Sequence, residues 1–338
     1  MQREIRKLAQ EELPKLQAFL ECFNLHLDQV DTSIVMEENG KIIATCSKYA
    51  NIFKCFAILP EYQGEGIAAT LLTELTYLAF EEGYHHTFLY TKPAQASIFI
   101  ALGYEEIIRI SEVVMLEKGL QSIRKTIAAM KQQLSHVKEC AAIVMNGNPF
   151  TLGHQYLIET AAAMCGHLVV FVVEEDASSV LFADRYAMIQ AGTAHLSNVS
   201  ILPSSSYIIS KSTFPNYFMR DKEHAFALYA ALDAHVFGTW FARELQIKRR
   251  FVGEEPLDEM TRLYNGVLQE VLPDYGIEVT IIPRKHNDYS VISASKVREL
   301  VRKDDWEQIR AYVPQTTYDY LKQHEEIITR IKQHGGKH

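Results

Sequence analysis

Cys140-Ala-Ala-Ile-Val-Met-Asn-Gly-Asn-Pro-Phe-Thr-Leu-Gly-His154 is the stretch that decides how this chain is read. Residues 141–145 form a continuous apolar run, as expected of a strand buried on both faces of a parallel sheet. Asn146, Gly147, Asn148 and Pro149 then make a turn, Phe150 follows, and a helix is expected to open at about Gly153. In open parallel sheets ligands bind beyond the carboxyl ends of the strands. A helix start at that place offers free backbone N–H groups and a favourable dipole to phosphate. Gly153 lets a phosphate approach the backbone. His154, at an exposed helix start, and Thr151 can each donate a hydrogen bond to a phosphate oxygen.

Downstream of this turn the pattern alternates. Helix 154–165, strand 168–173, helix 183–195, strand 199–202, helix 221–235, strand 248–252, helix 257–271 and strand 277–282 follow in order. Alternating elements of this kind imply a doubly wound parallel sheet, a Rossmann-like α/β fold. The tail from Ser295 reads as helical, broken at Pro314. Late in this half, Ile292-Ser-Ala-Ser-Lys-Val-Arg298 opens a helix that Ser293 or Ser295 can cap. Seryl hydroxyls, helix amides and Arg298 together make a second anion site. Two such grips would stretch a triphosphate across the top of the sheet. Attack at the α-phosphorus would then expel pyrophosphate, with positive donors stabilising charge on the equatorial oxygens. No protein nucleophile is required. Mg2+ is expected only as the companion of the phosphates, since no dedicated metal cage is visible.

Upstream, residues 3 to about 117 read as one α+β unit. A short strand and a helix carrying Leu13, Leu16, Phe19 and Leu20 come first. Runs Ile34 to Met36 and Ile42 to Cys46 flank Asn39-Gly40, a strong hairpin signal. The run Ile52 to Leu59 ends at Pro60, and the turn Gln63-Gly-Glu-Gly-Ile-Ala68 leads into a helix over 68–80. Strand 87–91, helix 94–101 and a single strand 105–116 close the unit. Its glycine-rich turn forms a nest of N–H groups at a helix start, again suited to phosphate. Residues 119–138 are polar, with Leu120, Ile123, Ile127 and Leu134 spaced for one helical face. The expected organisation is therefore a domain over 1–118, a connecting helix over 119–138 and a second domain over 139–338.

Composition narrows the partners. The net charge of −8 over 338 residues argues against a nucleic-acid binder, and Lys248-Arg249-Arg250 is too short a basic run to reverse that. No run of 18 apolar residues exists, so no membrane span is expected. The start MQREIRKLAQ carries no apolar leader, so the cytoplasm is the expected location. The five cysteines form no Cys-x-x-Cys pair and are expected to be reduced and mostly buried.

Both phosphate elements resemble known signatures. Thr151-Leu-Gly-His154 resembles the His-x-Gly-His signature of the nucleotidyl-transferase superfamily, in whose pantetheine-phosphate branch Thr takes the first place. Ile292 to Arg298 is similar to the element with which that superfamily grips the β- and γ-phosphates. The resemblance assigns His154 and Thr151 to catalysis. It assigns Asn146, Gly147, Asn148, Pro149, Phe150, Gly153, Ser293, Ser295 and Arg298 to nucleotide and phosphate binding. Gln63 to Ala68, with Ile58-Leu-Pro-Glu-Tyr-Gln before it and Ser97-Ile-Phe-Ile-Ala-Leu-Gly-Tyr104 after it, resembles GNAT-type acetyltransferases. There Gln63, Gly64, Gly66 and Ala68 would hold a coenzyme-A-type pyrophosphate. One departure matters: many GNAT enzymes place a general-acid tyrosine where this chain has Phe99, which has no proton to give.

A GNAT-like domain ahead of a nucleotidyl-transferase domain resembles the citrate lyase ligase family over nearly the whole chain. Ser212-Thr-Phe-Pro-Asn-Tyr-Phe218, Val252-Gly-Glu-Glu-Pro256, Thr261 and Tyr264-Asn265 are family-like blocks as well. The resemblance implies a reaction of ATP, acetate and a thiol giving AMP, pyrophosphate and an acetyl thioester through acetyl-adenylate. The implied thiol belongs to the dephospho-CoA-like prosthetic group on the acyl carrier subunit of citrate lyase. Two other readings stay open on the residues alone. One is a bifunctional enzyme, with adenylyl transfer to a small phosphorylated substrate beside a true N-acetyltransferase. The other is a nucleotide- or CoA-sensing regulator.

Overall fold

The computed structural model describes residues 3–174, 178–208, 222–255, 258–285 and 292–333. Contacts divide the chain into two units, Met1–Thr126 with Lys211–Leu232, and Ile127–Ser210 with Asp233–His338. These limits differ from the boundaries at 118 and 139. Glu117 Oε1 accepts the N–H of Ile123, which ties the start of the expected connecting helix to the first unit. His224 reaches Glu112 at 3.0 Å, which ties part of the later segment to it too.

The first unit is built on a seven-stranded sheet of order β1-β2-β3-β4-β5-β7-β6. Asn39 and Gly40 both take positive φ, 53° and 77°, the backbone that a tight hairpin needs. They join β2 (Thr32–Glu38) to β3 (Lys41–Tyr49), while β1 (Arg3–Lys7) pairs antiparallel with β2. Helix α1 (Leu13–Glu21) buries Leu16 and Leu20 against Val35, Cys55 and Ala57. Next come β4 (Ile52–Ile58) and α2 (Ile67–Glu81), whose Ile67, Leu71, Leu72, Leu75 and Leu78 cover the other sheet face. After β5 (His86–Thr91) and α3 (Ala96–Ala101), the segment expected as one strand folds as a hairpin of β6 (Glu105–Arg109) and β7 (Val114–Gly119). The turn is closed by Ile110 N–H on the Val113 carbonyl. Strands β4 and β5 run parallel and pair at Ile52 with Phe88 and Phe53 with Leu89, and the ladder stops there. Helix α4 (Ile123–Gln133) buries Ile123 and Ile127, with Leu134 just beyond it, whereas Leu120 precedes the helix and is 70% exposed.

In the second unit β8 (Cys140–Met145) leads to α5 (Leu152–Ala163), β9 (Leu168–Val172), α6 (Phe182–Thr193) and β10 (Val199–Pro203). Helix α7 (Lys222–Val236), which belongs to the first unit as far as Leu232, runs through a π-helical turn, Phe237–Ala242, into α8 (Arg243–Leu245). Then come β11 (Ile247–Gly253), α9 (Glu259–Val271) and β12 (Glu278–Ile282). All five strands are parallel, in the order β10-β9-β8-β11-β12. The first strand of this unit, β8, thus lies at the centre, and the winding reverses between β8 and β11. A ligand crevice forms at such a switch point, outside the carboxyl ends of the strands. Helices α10 (Ala294–Arg302), α11 (Trp306–Ile309), α12 (Gln315–Gln323) and α13 (Glu325–Gln333) complete the unit. Val297, Leu300, Ile309, Leu321 and Ile331 join α5 and α6 in one core on the same sheet face. The fold is therefore the one expected, a GNAT-like α+β domain and a Rossmann-like parallel α/β domain.

Candidate active site

The turn after β8 is held from below. Arg185 of α6, fully buried, donates from Nη1 to the carbonyls of Asn146 and Val173, both at 2.8 Å, and from Nε to Val180 at 3.1 Å. It thereby ties together the carboxyl ends of β8 and β9. Asn148 Oδ1 accepts from the Ser179 hydroxyl and the Val180 N–H, and the Asn148–Pro149 peptide is cis. Gly147 is in the left-handed region at φ 65°, and a Cβ there would lie 3.0 Å from Ile189. Phe150 is fully buried against Gly192, whose own Cβ would meet the ring at 2.4 Å.

Helix α5 starts with a reciprocal cap. The Thr151 hydroxyl accepts from His154 N–H at 3.3 Å, and His154 Nδ1 accepts from Thr151 N–H at 3.1 Å. This is the Ser/Thr-x-x-Glu/Gln capping box with histidine in the last place. The expectation of an exposed histidine is corrected: His154 is half-buried, its ring stacked 5.9 Å from Phe150. Burial, with Arg284 nearby, lowers its pKa to about 4. The ring is therefore neutral, with Nδ1 as acceptor and Nε2–H as the remaining donor. Thr151 is 1% exposed, and its hydroxyl is engaged at the helix start beneath the histidine.

The second element lies against the first. Ser293 is the N-cap of α10, accepting from Lys296 N–H at 3.1 Å. Gly153 sits so close to Ile292 that a Cβ would lie 3.4 Å from its carbonyl oxygen. Arg298 donates from Nη1 to the Asn148 carbonyl at 2.5 Å and from Nη2 to the Ser295 hydroxyl at 3.0 Å. Both acceptors are neutral, and among the described residues Arg298 has no carboxylate partner. Burial, with Arg302 adding, lowers its pKa. A partly desolvated guanidinium thus stands at two helix starts, where free backbone N–H groups favour an anion.

Sequence reasoning missed two groups at this end of the sheet, Arg185 and Arg284-Lys285 after β12, and it took Glu254 and Glu255 after β11 only as part of a family-like block. Arg284 forms an ion pair with Glu255, and the Lys285 ammonium lies 5.4 Å from the centre of the Tyr156 ring on α5. Charged residues directly after a strand's carboxyl end were the available signal. Of the family-like blocks, Tyr264 donates to Asp233 and Asn265 donates to the Gly253 carbonyl at 3.0 Å. Residues 212–218 and Pro256 lie outside the described residues. Among the described residues no group of three or more His, Cys, Asp or Glu side chains is placed to hold a metal, and no helix is long and apolar enough to cross a membrane.

In the first unit the glycine-rich turn keeps its shape. Gly64 and Gly66 take φ of 86° and 78°, and nothing lies within 4 Å of a Cβ built on either. Gly66 caps α2 without a side-chain bond, Ala68 is in the first turn, and Gln63 Nε2 donates back to the Ile58 carbonyl. Phe99 is buried, edge-on to Phe56 at 5.1 Å. The neighbouring Tyr104 is buried too, its hydroxyl 3.1 Å from that of Thr87, and burial raises its pKa.

Fold and site together define a two-part protein, a GNAT-type domain ahead of a Rossmann-like parallel α/β domain in which two helix starts lie against each other. A family model described as the GNAT acetyltransferase domain matches residues 29–106, and one described as the citrate lyase ligase C-terminal domain matches residues 140–321. Among curated proteins, the [citrate [pro-3S]-lyase] ligase of Haemophilus influenzae is 38% identical over 330 residues, covering 95% of this chain and 98% of that one. The enzyme of the same name from Klebsiella pneumoniae is 37% identical, over 90% of this chain and 91% of its own. The Escherichia coli one is 34% identical, over 94% and 92%. A solved structure, the GNAT domain of S. lividans PAT, has 20% identity and a TM-score of 0.30, over 35% of this chain and 90% of its own. The chain belongs to the citrate lyase ligase family.

Proposed function

We propose that this protein is an AMP-forming acid–thiol ligase that uses ATP and acetate to acetylate the thiol of the prosthetic group on the acyl carrier subunit of citrate lyase. The observation that carries the reading is Arg298. Its guanidinium is bonded to the turn after β8 and to the start of α10, with neutral partners only among the described residues. A nucleoside triphosphate offers this guanidinium phosphate oxygens to bind. The supply of ATP and of a carrier substrate favours the cytoplasm as its location.

The chemistry proceeds in two steps. An acetate oxygen attacks the α-phosphorus, the bond to the β-phosphate oxygen breaks, and pyrophosphate leaves with its electron pair. The carrier thiol, losing its proton, then attacks the acetyl carbon and displaces AMP. His154 donates from Nε2 to the phosphate under attack, and because the ring is neutral it does so across the physiological pH range. Thr151 holds that ring through the reciprocal cap. Ser293, Ser295 and Arg298, with the amides of Gly153 and its neighbours, take the departing end. These cations, hydroxyls and amides fit phosphate oxygens, and Mg2+ would arrive on the phosphates and offset their charge. Gln63, Gly64, Gly66 and Ala68 serve as the dock for the CoA-like arm. Phe99 in the proton-donor position speaks against the competing reading of a working N-acetyltransferase.

Acetate-dependent exchange of labelled pyrophosphate into ATP tests the first step. Acetyl thioester formation on the loaded carrier subunit tests the second. Exchange that ignores acetate, or adenylylation of a phosphorylated small molecule, would overturn the assignment.

A further inference from the structure

Two residues past the carboxyl end of β12 stands Arg284, a cation without a role in the reaction as derived above. Its position is fixed from β11. Glu254 N–H donates to the Ile282 carbonyl at 2.8 Å, Glu254 Oε2 accepts Arg284 N–H at 3.3 Å, and Glu255 pairs with the Arg284 guanidinium. Lys285, next in the chain, lies over Tyr156, which is two residues past His154 on α5. The tip of β12 therefore stands against the first turns of the helix whose start carries the proposed phosphate donor. Arg284 is also the charged group that adds to burial in depressing the His154 pKa.

The pair itself is partly open to solvent, its side chains 18% and 16% exposed. That opening lets an anion reach the guanidinium, and the anion's contacts there must exceed what Glu255 gives. A triphosphate or pyrophosphate presents several anionic oxygens to the planar guanidinium fork, against the single carboxylate of Glu255. In the absence of nucleotide, Glu255 balances the charge of Arg284, a second cation at this end of the sheet with Arg298.

We infer that Arg284 is a second phosphate-binding cation of the nucleotide site, stored on Glu255 and passed to the triphosphate, or to the leaving pyrophosphate, when that ligand enters. This rests on the adenylating reading of the site and extends it to a residue on another strand.

Calorimetric titration of the full-length protein with pyrophosphate alone, without acetate or carrier, tests it. Arg284→Gln is expected to weaken pyrophosphate binding by about 10- to 100-fold, the range for a lost hydrogen bond to a charged group. Glu255→Gln is expected to tighten it, because the guanidinium no longer has to leave a carboxylate. The double variant should bind like Arg284→Gln, since the gain from Glu255→Gln requires the arginine. Wild-type affinity in Arg284→Gln overturns the inference, as does unchanged or weaker binding in Glu255→Gln, or a Glu255→Gln gain that survives loss of the arginine. The Glu255→Gln arm stands by itself if circular dichroism shows Arg284→Gln to be misfolded. A wild-type protein that binds neither ATP nor pyrophosphate overturns the adenylating reading itself, which separates that failure from this one.

Discussion

Replacing His154 by Gln separates the structural role of this side chain from its chemical one. Glutamine completes a capping box with Thr151 as well as glutamate does, so its carbonyl can accept the Thr151 N–H that Nδ1 accepts now. At neutral pH the variant should be as stable as the wild type to within about 0.5 kcal/mol. The two should diverge in acid. The His154 pKa is about 4 in the folded protein against 6.5 as its ordinary value. Below about pH 6.5 the unfolded chain takes up a proton that the folded one refuses, so this group lowers stability as the pH falls from 6.5 towards 4, then no further. The linkage amounts to roughly 2 kcal/mol at pH 5 and about 3 kcal/mol once both states are protonated. Denaturant unfolding of both proteins at several pH values between 4 and 7.5 measures the difference, in which all other titrating groups cancel. Adenylation, followed as acetate-dependent pyrophosphate exchange, should fall by about 10²–10³, the usual cost of one lost donor to a developing oxyanion. Parallel pH profiles for the two proteins would refute the neutral, buried ring. A well-folded variant with normal exchange would refute the donor role.

Arg298→Lys should raise the KM for ATP and recover only part of what Arg298→Ala loses, because lysine cannot bond the Asn148 carbonyl and a phosphate with one planar fork; unchanged ATP dependence would move the second grip elsewhere. Gly192→Ala places a methyl 2.4 Å from the Phe150 ring and should lower stability by about 1–3 kcal/mol, together with exchange activity; a thermal melt matching the wild type would mean that Phe150 has room to move. Gly66→Trp fills the open turn before α2 and strains a left-handed backbone. It should spare pyrophosphate exchange while slowing acetyl transfer to the carrier, and a folded variant that transfers at the wild-type rate refutes docking of the arm there.

Much of this architecture was legible because its signals are local. The apolar run 141–145, the turn residues after it and the alternation beyond specify the parallel unit, and Asn39-Gly40 specifies a hairpin. The split of 105–116 was not legible, because Ile110-Ser-Glu-Val113 turns without glycine, proline or asparagine. The π-helical turn at 237–242 carries no sequence mark either. At the site, residue types were readable and their commitments were not. Thr151-Leu-Gly-His154 could be seen as a phosphate element, but its use of histidine to close a cap depends on atomic distances. The pairing of Glu255 with Arg284, from neighbouring strands, is tertiary and leaves no local pattern.

The bond from Arg298 to Asn148 joins residues 150 positions apart. Chains are made from the N-terminus at about 5–20 residues per second, so about 8–30 s pass between synthesis of the turn and synthesis of the side chain that closes over it. During that interval β8 can pair with β9, but the partner on its other side, β11, comes more than a hundred residues later. Long-range closures of this kind come late and slowly in folding. A growing chain therefore holds the strand, turn and helix of the proposed phosphate site well before the residues that close it, and on that proposal triphosphate affinity would gauge how far the last third has docked.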